Sequence, residues 1–230
     1  MKNLNKKTKD YVACLIPSSD FSKFQLLSNI AFEEGAGFVE IRIPCGEEKI
    51  DIKQFEKING DIILALEPKN FQKEVNIQRL KTRLEDMLII KPFAIELHEN
   101  LGEKQIQEIL TKAKIKDIKV IISSYSDSFS NIQELKTKCI ELSKYNANII
   151  KLTVEIKDEF EAIEILKIHR EIKDLNIIIN PSGEKAKIIQ LLAPFYGSIF
   201  TYGYISQKIP EAQISLGYLL KSLEYFQQII

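Results

Sequence analysis

One lysine of this 230-residue chain stands where its side chain could do chemistry. The stretch ANIIKLTVEI (147–156) is an apolar, strand-like run, and Lys151 lies in its middle. If that side chain faces a barrel interior or a pocket, the loss of hydration lowers its pKa, and the neutral amine can attack a carbonyl group. The alternative is a strand lysine whose ammonium reaches solvent along its own stem. The run itself leaves both interpretations open, so the rest of the chain must decide between them.

Further polar residues lie at or beyond the ends of the other apolar runs. If Lys151 faces inward, alternation along the strand also aims Thr153 and Glu155 inward. Glu40 and Arg42 are two positions apart on one strand face, where they could position a ligand or form a structural ion pair that fills the interior. The remaining polar positions of this kind are Glu67, Glu96, His98, Ser124 and Ser126. So much polarity exceeds what a purely structural rim requires.

The elements that must position these residues alternate in type along the whole chain. Eight short apolar runs alternate with longer amphipathic segments of helical period. Strands and helices in this order predict parallel strands with right-handed crossovers, and eight units predict an α/β fold of the (β/α)8 TIM barrel type. An open doubly wound sheet is the competing fold, but SSDFSK (18–23) stands where a glycine-rich phosphate loop would follow the first strand. The runs are YVACLI (11–16), GFVEIRI (37–43), DIILAL (61–66), PFAIEL (92–97), IKVIISS (118–124), NIIKLTV (148–154), NIIIN (176–180) and GSIFTYG (197–203).

No shift in composition marks an internal linker. We therefore expect a single barrel domain at 11–230, preceded by a flexible N-terminal tail at 1–10. The first helix is expected to start at Ser19 or Asp20 and to stop at Gly35.

Charge and cysteine content argue against several partner classes. Lys and Arg total 32, as do Asp and Glu, so no basic excess favours nucleic acid. No apolar run is long enough to span a membrane. Cys14, Cys45 and Cys139 are an odd number without metal-ligand spacing, which favours a reducing cytoplasm. No cluster of His, Cys and Asp has ligand spacing either, so no metal is implied.

Several segments, taken in order, resemble one known family. GAGFVEIRI (35–43) resembles the Glu-x-Arg strand of the type I 3-dehydroquinate dehydratases, and AIEL (94–97) resembles their fourth-strand Glu. NANIIKLTVEIKDEFEAIEIL (146–166) resembles their Schiff-base lysine strand and the following helix. YGSIFTYG (196–203) with IPEAQIS (209–215) resembles their closing segment, Phe-Gly-Ser…Thr-Phe-Gly followed by Ser-Ala-Pro-Gly-Gln. Each motif alone is weak, but their order and spacing match over almost the whole chain.

The resemblance implies a lyase that removes water from 3-dehydroquinate in the shikimate pathway of aromatic amino acid biosynthesis. Lys151 would form an imine with the ketone of this small-molecule substrate, and no cofactor is implied because the lysine itself makes the electron sink. Glu40 and Arg42 would position substrate hydroxyls, Glu96 would orient the catalytic histidine, and Gln213 would reach the substrate from the closing loop. A homodimer formed through barrel helices is also expected from the resemblance alone.

Other positions depart from the family pattern. The family's Ser-Tyr-His on strand five reads SSYSDSF here, so the general acid/base histidine becomes Ser126, or Ser124 in an alignment without a gap. Ser126 is then the expected substrate contact, although a serine cannot exchange protons by itself near neutral pH. An anion-binding arginine of strand three falls on Glu67, and the arginine that clamps the substrate carboxylate falls on Gln190, whose preceding serine is Ile189.

The remaining departures concern the closing loop and the end of strand two. The loop serine falls on Ile209, its glycines fall on Glu211 and Ala212, and the Asp after Glu-x-Arg is Pro44.

Three functions remain open after these departures. The first is a divergent dehydratase in which Lys69 or Lys187 binds the substrate anion. The second is a Schiff-base aldolase or lyase that acts on a less anionic carbonyl compound. The third is a catalytically inactive barrel that acts as a binding or scaffold protein. The mouth is too acidic for a carboxylate substrate, so we expect ordinary dehydratase activity to be weak, altered or absent.

Few residues could replace the missing histidine. Glu96 could act as the base if burial raises its pKa, and Glu96→Gln should then abolish turnover. His98 is expected at the rim without chemistry, and His169 on a helix surface or in helix packing.

Overall fold

Eight parallel strands, among the residues that the structure describes, form one sheet that curls into a nearly closed barrel. The structure is a computed structural model, and the described residues are 12–44, 50–66, 77–126, 131–205 and 213–229. The expected tail at 1–10 lies outside them. The strands are β1 Val12–Ile16, β2 Phe38–Ile43, β3 Asp61–Leu66, β4 Ala94–His98, β5 Lys119–Ser126, β6 Ile149–Glu155, β7 Ile177–Ser182 and β8 Thr201–Tyr204.

Helices follow the strands and run over the outside of the barrel. They are α1 Phe24–Glu34, α2 Ile77–Ile90, α3 Glu103–Ile115, α4 Ile132–Ser143, α5 Glu159–Leu166, α6 Ile168–Glu171, α7 Ala186–Tyr196 and α8 Leu216–Ile229, with short 3-10 turns at Ser18–Lys23, Ile52–Lys57 and Glu99–Leu101. This alternation confirms the predicted (β/α)8 barrel and excludes the open doubly wound sheet.

From β1 to β7 each strand pairs with the next, and β8 pairs with β1. β7 and β8 form no regular ladder, and the seam between them is closed by a few hydrogen bonds near its two ends. At its lower end the Ile199 N–H donates to Ile177 O at 3.3 Å, and the Ser198 hydroxyl also donates to Ile177 O, at 3.5 Å. At its upper end, glutamine side chains supply the contacts, as described below.

Two apolar layers fill the lower half of the barrel interior. In small parallel barrels, each interior layer takes its side chains from alternate strands. The lowest layer comes from the even-numbered strands and the residue before β8, and holds Phe38, Ala94, Ile149 and Phe200. The next comes from the odd-numbered strands and holds Ala13, Ile63, Ile121 and Ile178. The rings of Phe38 and Phe200 pack with centroids 4.5 Å apart. A second, larger apolar cluster lies between the strands and the helices.

The first helix begins later than its sequence signals predict. Residues Ser18–Lys23 form a 3-10 turn, and the α-helix starts only at Phe24 without a side-chain cap, so neither Ser19 nor Asp20 caps it. Its end at Gly35 is confirmed: this residue has φ of 108°, a left-handed conformation that costs glycine little.

None of the helices in the described part of the chain is both long and apolar enough to cross a bilayer.

His169 on α6 is buried in helix packing rather than exposed. Its Nε2 has no hydrogen-bond partner among the described residues, and burial lowers its pKa to about 4. The charged imidazolium is therefore disfavoured in the folded chain.

This burial predicts a loss of stability in mild acid. In the unfolded chain His169 takes up a proton near pH 6.5, and in the folded chain only near pH 4. The contribution of neutral His169 to stability is therefore complete above pH 6.5 and is lost as the pH falls from 6.5 to 4. The free energy of unfolding should decrease by about 2 kcal/mol from this residue between pH 7 and pH 5. Denaturant titrations of the wild type and of His169→Gln at both pH values check it. An equal decrease in both proteins would contradict the assignment.

Candidate active site

In the middle of the barrel interior, one layer of side chains from the even-numbered strands is polar and mostly charged, whereas the two layers below it are apolar. Glu40 of β2, Glu96 of β4, Lys151 of β6 and Tyr202 of β8 supply this layer. Lys151 is 0% exposed, and its neighbours along β6 are buried apolar residues. Of the two placements that the sequence left open for Lys151, the structure has the inward one, and its ammonium does not reach solvent.

Lys151 is held by two carboxylates. Its Nζ donates to Glu40 Oε1 at 3.0 Å and Oε2 at 2.8 Å, and to Glu96 Oε2 at 2.8 Å. Arg42 lies two residues after Glu40 on the same face of β2. Its Nη2 lies 2.6 Å from Glu40 Oε1 and 3.5 Å from Glu96 Oε2. We call Glu40, Arg42, Glu96 and Lys151 the ion-pair network. Its two cations and two anions balance, as buried charges require.

Tyr202 completes this layer and was missed by the sequence analysis. Its hydroxyl donates to Glu40 Oε2 at 2.7 Å, and the Lys151 Nζ lies 4.4 Å from the centroid of its ring, in cation–π contact. The available signal was the closing segment, which reads Thr-Tyr-Gly in this chain and Thr-Phe-Gly in the family motif. One hydroxyl on an inward strand position thus adds a third donor to Glu40.

Glu96 stays ionised in this arrangement. Burial by itself raises the pKa of its carboxyl, but the Arg42 guanidinium and the Lys151 ammonium outweigh burial and hold the pKa at about 2. The expectation that burial would raise this pKa and make Glu96 a base is wrong, because two cations lie within contact distance. By contrast, burial raises the pKa of Tyr204 to about 12 and that of Tyr202 well above its usual value, so both phenols keep their protons.

Strand β5 presents different serines from those that the sequence suggested. Ser123 is the inward one: it lies level with Lys151 in the strand register, and its hydroxyl donates to Leu97 O at 3.4 Å. Ser124 lies on the outer face, where its hydroxyl bonds the Glu99 carboxylate. The interpretation of Ser124 as the histidine replacement is therefore wrong. Ser126 ends β5 opposite Val154, and its side chain lies outside the described residues.

Ser124 belongs to a small cavity outside the barrel wall. The cavity has a volume of about 130 Å³ and lies between β5, β6 and α4. Its lining includes Glu99, Leu152 and Lys138, and the Lys138 Nζ lies 3.3 Å from Glu99 Oε2. Lys151 does not line it.

Gln213 lies at the upper end of the seam between β7 and β8, not against Lys151. Its Nε2 donates to Pro181 O at 3.2 Å, and its Oε1 accepts from Gln190. The buried Gln190 of α7 also donates to Tyr202 O at 3.1 Å. The two amides thus connect β7, α7 and β8 where the strand ladder does not.

The remaining candidates are placed as follows. His98 ends β4 half-buried, its Nδ1 accepts from Asn100 N at 3.1 Å, and burial lowers its pKa, so it is neutral at pH 7. Lys187 is exposed on α7. Glu67, Lys69, Ile209, Glu211 and Ala212 lie outside the described residues. In the part of the chain that is described, no group of three or more His, Cys, Asp and Glu side chains could hold a metal ion.

Comparisons with known proteins agree on one family. A family model described as type I 3-dehydroquinase matches residues 13–230. The 3-dehydroquinate dehydratase of Methanocella arvoryzae is 27% identical over 193 residues, which cover 82% of this chain and 87% of that protein. That of Methanosarcina mazei is 27% identical over 124 residues, 53% of this chain and 51% of that protein. The match thus spans about half the length of the Methanosarcina relative.

Solved structures show the same fold. The type I 3-dehydroquinate dehydratase of Clostridium difficile with covalently modified comenic acid has a TM-score of 0.85 and 17% identity, covering 96% of this chain and 94% of that one. The 3-dehydroquinate dehydratase of Geobacillus kaustophilus has a TM-score of 0.82 and 14% identity, covering 96% and 92%.

The contact between Tyr202 and Glu40 predicts a measurable contribution to stability. Tyr202→Phe keeps the ring under Lys151 but removes a donor to a buried carboxylate, so the free energy of unfolding should fall by about 2 kcal/mol. Chemical denaturation measures it. Tyr218→Phe, which removes a hydroxyl from an exposed position on α8, is the matched control and should leave stability unchanged. Equal stability of wild type and Tyr202→Phe would contradict the contact.

Proposed function

Because the chain belongs to the type I 3-dehydroquinase family, we propose that Lys151 forms an imine with the carbonyl group of a small-molecule substrate, and that turnover of 3-dehydroquinate itself is weak or absent. The observation that carries this proposal is the position of Lys151: its Nζ lies in the barrel interior within 3.0 Å of Glu40 and Glu96.

The contacts of Lys151 support each step of imine formation. The ammonium first gives a proton to the Glu40 carboxylate, which its Nζ contacts at 2.8 Å, and the neutral Nζ then attacks the carbonyl carbon. The Glu40 carboxyl then returns its proton to the carbinolamine hydroxyl, which leaves as water, and the nitrogen keeps one hydrogen in the protonated imine. Its positive charge sits where the ammonium was, between Glu40 and Glu96, so the same two carboxylates stabilise it. The protonated imine then withdraws electrons and acidifies the adjacent C–H bond.

The next step, proton transfer from carbon, is poorly supported in this chain. A good general base has a pKa near the working pH, whereas the pKa of Glu96 is about 2. The inward residues near the end of β5 are Ser123 and, by alternation, Tyr125. A serine has no tendency to take a proton near neutrality. Slow turnover of 3-dehydroquinate is the expected consequence.

Binding of the substrate carboxylate is weakened as well. The position of the family's carboxylate clamp holds Gln190, an uncharged amide. Glu155 follows Lys151 and Thr153 on the same face of β6 and adds a negative charge. An anionic substrate therefore meets less attraction and more repulsion at this mouth.

A second candidate function is supported by the same network. Lys151 is fully buried, and two carboxylates stabilise its charged form, which cannot attack a carbonyl. In this case the ion-pair network only fills the barrel, and the protein is a catalytically inactive binding or scaffold protein.

Borohydride trapping separates the two functions. With 3-dehydroquinate and a panel of ketones and aldehydes, borohydride should leave a covalent adduct that peptide mapping places at Lys151. Lys151→Met should give no adduct, whereas Lys104→Met, which removes an exposed lysine of α3, should react like the wild type. If the wild type gives no adduct with any carbonyl compound, the inactive barrel is the correct function.

Dehydration of 3-dehydroquinate should be slow even if the adduct forms. Loss of general acid/base catalysis costs about 10²–10⁴-fold in rate. The ultraviolet absorbance of the conjugated product, measured beside a family member that has the histidine, gives the ratio. A rate within tenfold of that enzyme would show that another residue exchanges the proton.

A further inference from the structure

We propose that the Tyr202 hydroxyl restrains imine formation at Lys151 by stabilising the ionised form of Glu40. Tyr202 is then a positioning residue, because it acts on the lysine through this carboxylate. The inference concerns the imine chemistry proposed above and rests on it. This chain reads Thr-Tyr-Gly where the family motif reads Thr-Phe-Gly, so the motif has the ring without the hydroxyl.

The oxygen atom that receives the proton of Lys151 already accepts a second hydrogen bond. Lys151 Nζ donates to Glu40 Oε2 at 2.8 Å, and the Tyr202 hydroxyl donates to the same oxygen at 2.7 Å. The other oxygen, Oε1, lies 2.6 Å from Arg42 Nη2. Glu40 and Tyr202 are both fully buried, so water does not replace these donors. Each donor favours the ionised carboxylate over the protonated carboxyl.

Imine formation begins with a proton transfer that works against this hydrogen bond. One N–H bond of the Lys151 ammonium breaks and one O–H bond forms at Glu40 Oε2, so the ammonium becomes an amine and the carboxylate becomes a carboxyl. The network stays balanced, because one cation and one anion disappear together. A neutral oxygen accepts a weaker hydrogen bond than an ionised one, so the contact of the Tyr202 hydroxyl is weakened by the transfer. The hydroxyl therefore disfavours this step.

The phenol of Tyr202 does not take the proton itself. Burial and the Glu40 carboxylate raise the pKa of Tyr202 well above its usual value, so the hydroxyl keeps its proton and remains a donor. The ring favours the same state of the lysine, because Lys151 Nζ lies 4.4 Å from its centroid and a ring face attracts an ammonium. Only the hydroxyl, however, acts through Glu40.

Glu96 is the alternative proton acceptor. Its Oε2 also lies 2.8 Å from Lys151 Nζ, although its pKa of about 2 makes it a weak base. The Tyr202 hydroxyl donates to Glu40, so its removal changes the proton transfer only if Glu40 is the acceptor. The response to this change therefore also identifies the carboxylate that takes the proton.

Tyr202→Phe removes the hydroxyl and keeps the ring. We would measure trapping at Lys151 with 3-dehydroquinate and the ketone and aldehyde panel, in excess cyanoborohydride, which reduces imines and spares free ketones. The maximal trapping rate should rise about three- to tenfold, because Glu40 takes the proton more readily and returns it somewhat less readily. The carbonyl concentration that gives half of this rate should not change. An unchanged or lower maximal rate overturns the restraint.

Two controls separate the hydroxyl from a general loosening of the barrel. Tyr218→Phe removes an exposed hydroxyl from α8, and Ile165→Val removes one buried methylene group from α5. Both residues lie on helices outside the barrel, so both variants should trap at the wild-type rate. A rate increase in Ile165→Val equal to that in Tyr202→Phe contradicts the proposal. Near-ultraviolet circular dichroism identifies a variant that has not folded.

A fluorinated tyrosine tests the restraint in the opposite direction. 3-Fluorotyrosine at position 202 keeps the ring and makes the hydroxyl a stronger hydrogen-bond donor to Glu40. The maximal trapping rate should then fall below that of the wild type. This protein retains every contact of Tyr202, so it gives a result even if Tyr202→Phe does not fold. An unchanged or higher rate overturns the restraint.

Acetylation tests the restraint without a carbonyl substrate. A neutral amine attacks acetic anhydride, so acetylation of Lys151 begins with the same proton transfer. Peptide mass spectrometry should show Lys151 acetylated about tenfold faster in Tyr202→Phe than in the wild type, relative to the exposed Lys104 in the same sample. If neither protein traps a carbonyl compound but the variant is acetylated faster, the proposed imine is wrong and the restraint stands. Equal acetylation, or none in either protein, overturns the restraint.

Discussion

The pairing of the Lys151 ammonium with the Glu40 and Glu96 carboxylates is the interaction on which the barrel interior depends. An isolated charge at this depth is very costly, and each member of the network is tolerated only because the others are present. Because its four members come from β2, β4 and β6, the network also fixes how these strands approach one another. Tyr202 brings in β8, so one layer joins all four even-numbered strands.

The position of this layer divides the barrel into two functional halves. Below it, two apolar layers resemble the interior of an ordinary barrel and serve packing. Above it, the inner face carries hydroxyl, amide and charged groups. This agrees with the rule that reacting groups of parallel barrels lie at the carboxyl ends of the strands. The network is thus both the upper boundary of the core and the floor of the candidate site.

Periodicity was sufficient to predict the barrel, and alternation showed which polar residues share one face of a strand. All eight apolar runs became strands, since each is short, rich in β-branched residues and bounded by helical segments. Alternation placed Glu40 and Arg42 on one face of β2, and Lys151, Thr153 and Glu155 on one face of β6, whereas burial of Lys151 had to come from the structure. These are local properties of a strand, and they need no knowledge of loops.

Where prediction failed, the outcome depended on information that is not local. The consecutive serines of β5 could not be assigned to faces without the register against β6, and Ser123 rather than Ser124 faces inward. Gln213 follows a long connection, so its contact with Gln190 was not readable from the chain. The pKa of Glu96 results from burial against two cations, and only distances decide which effect is larger. Tyr202 was missed because a tyrosine in an apolar run has the same pattern as a phenylalanine.

The charge balance of the network is also compatible with an uncharged amide, Gln190, beside the seam between β7 and β8. Gln190 bonds a backbone carbonyl and a second amide, so its environment is satisfied on the donor side without a carboxylate ligand. Lys151 is held by carboxylates of its own layer and does not need a substrate anion for compensation. Stability and anion binding are therefore separable here. In this chain, the lysine keeps its place through contacts within its own layer.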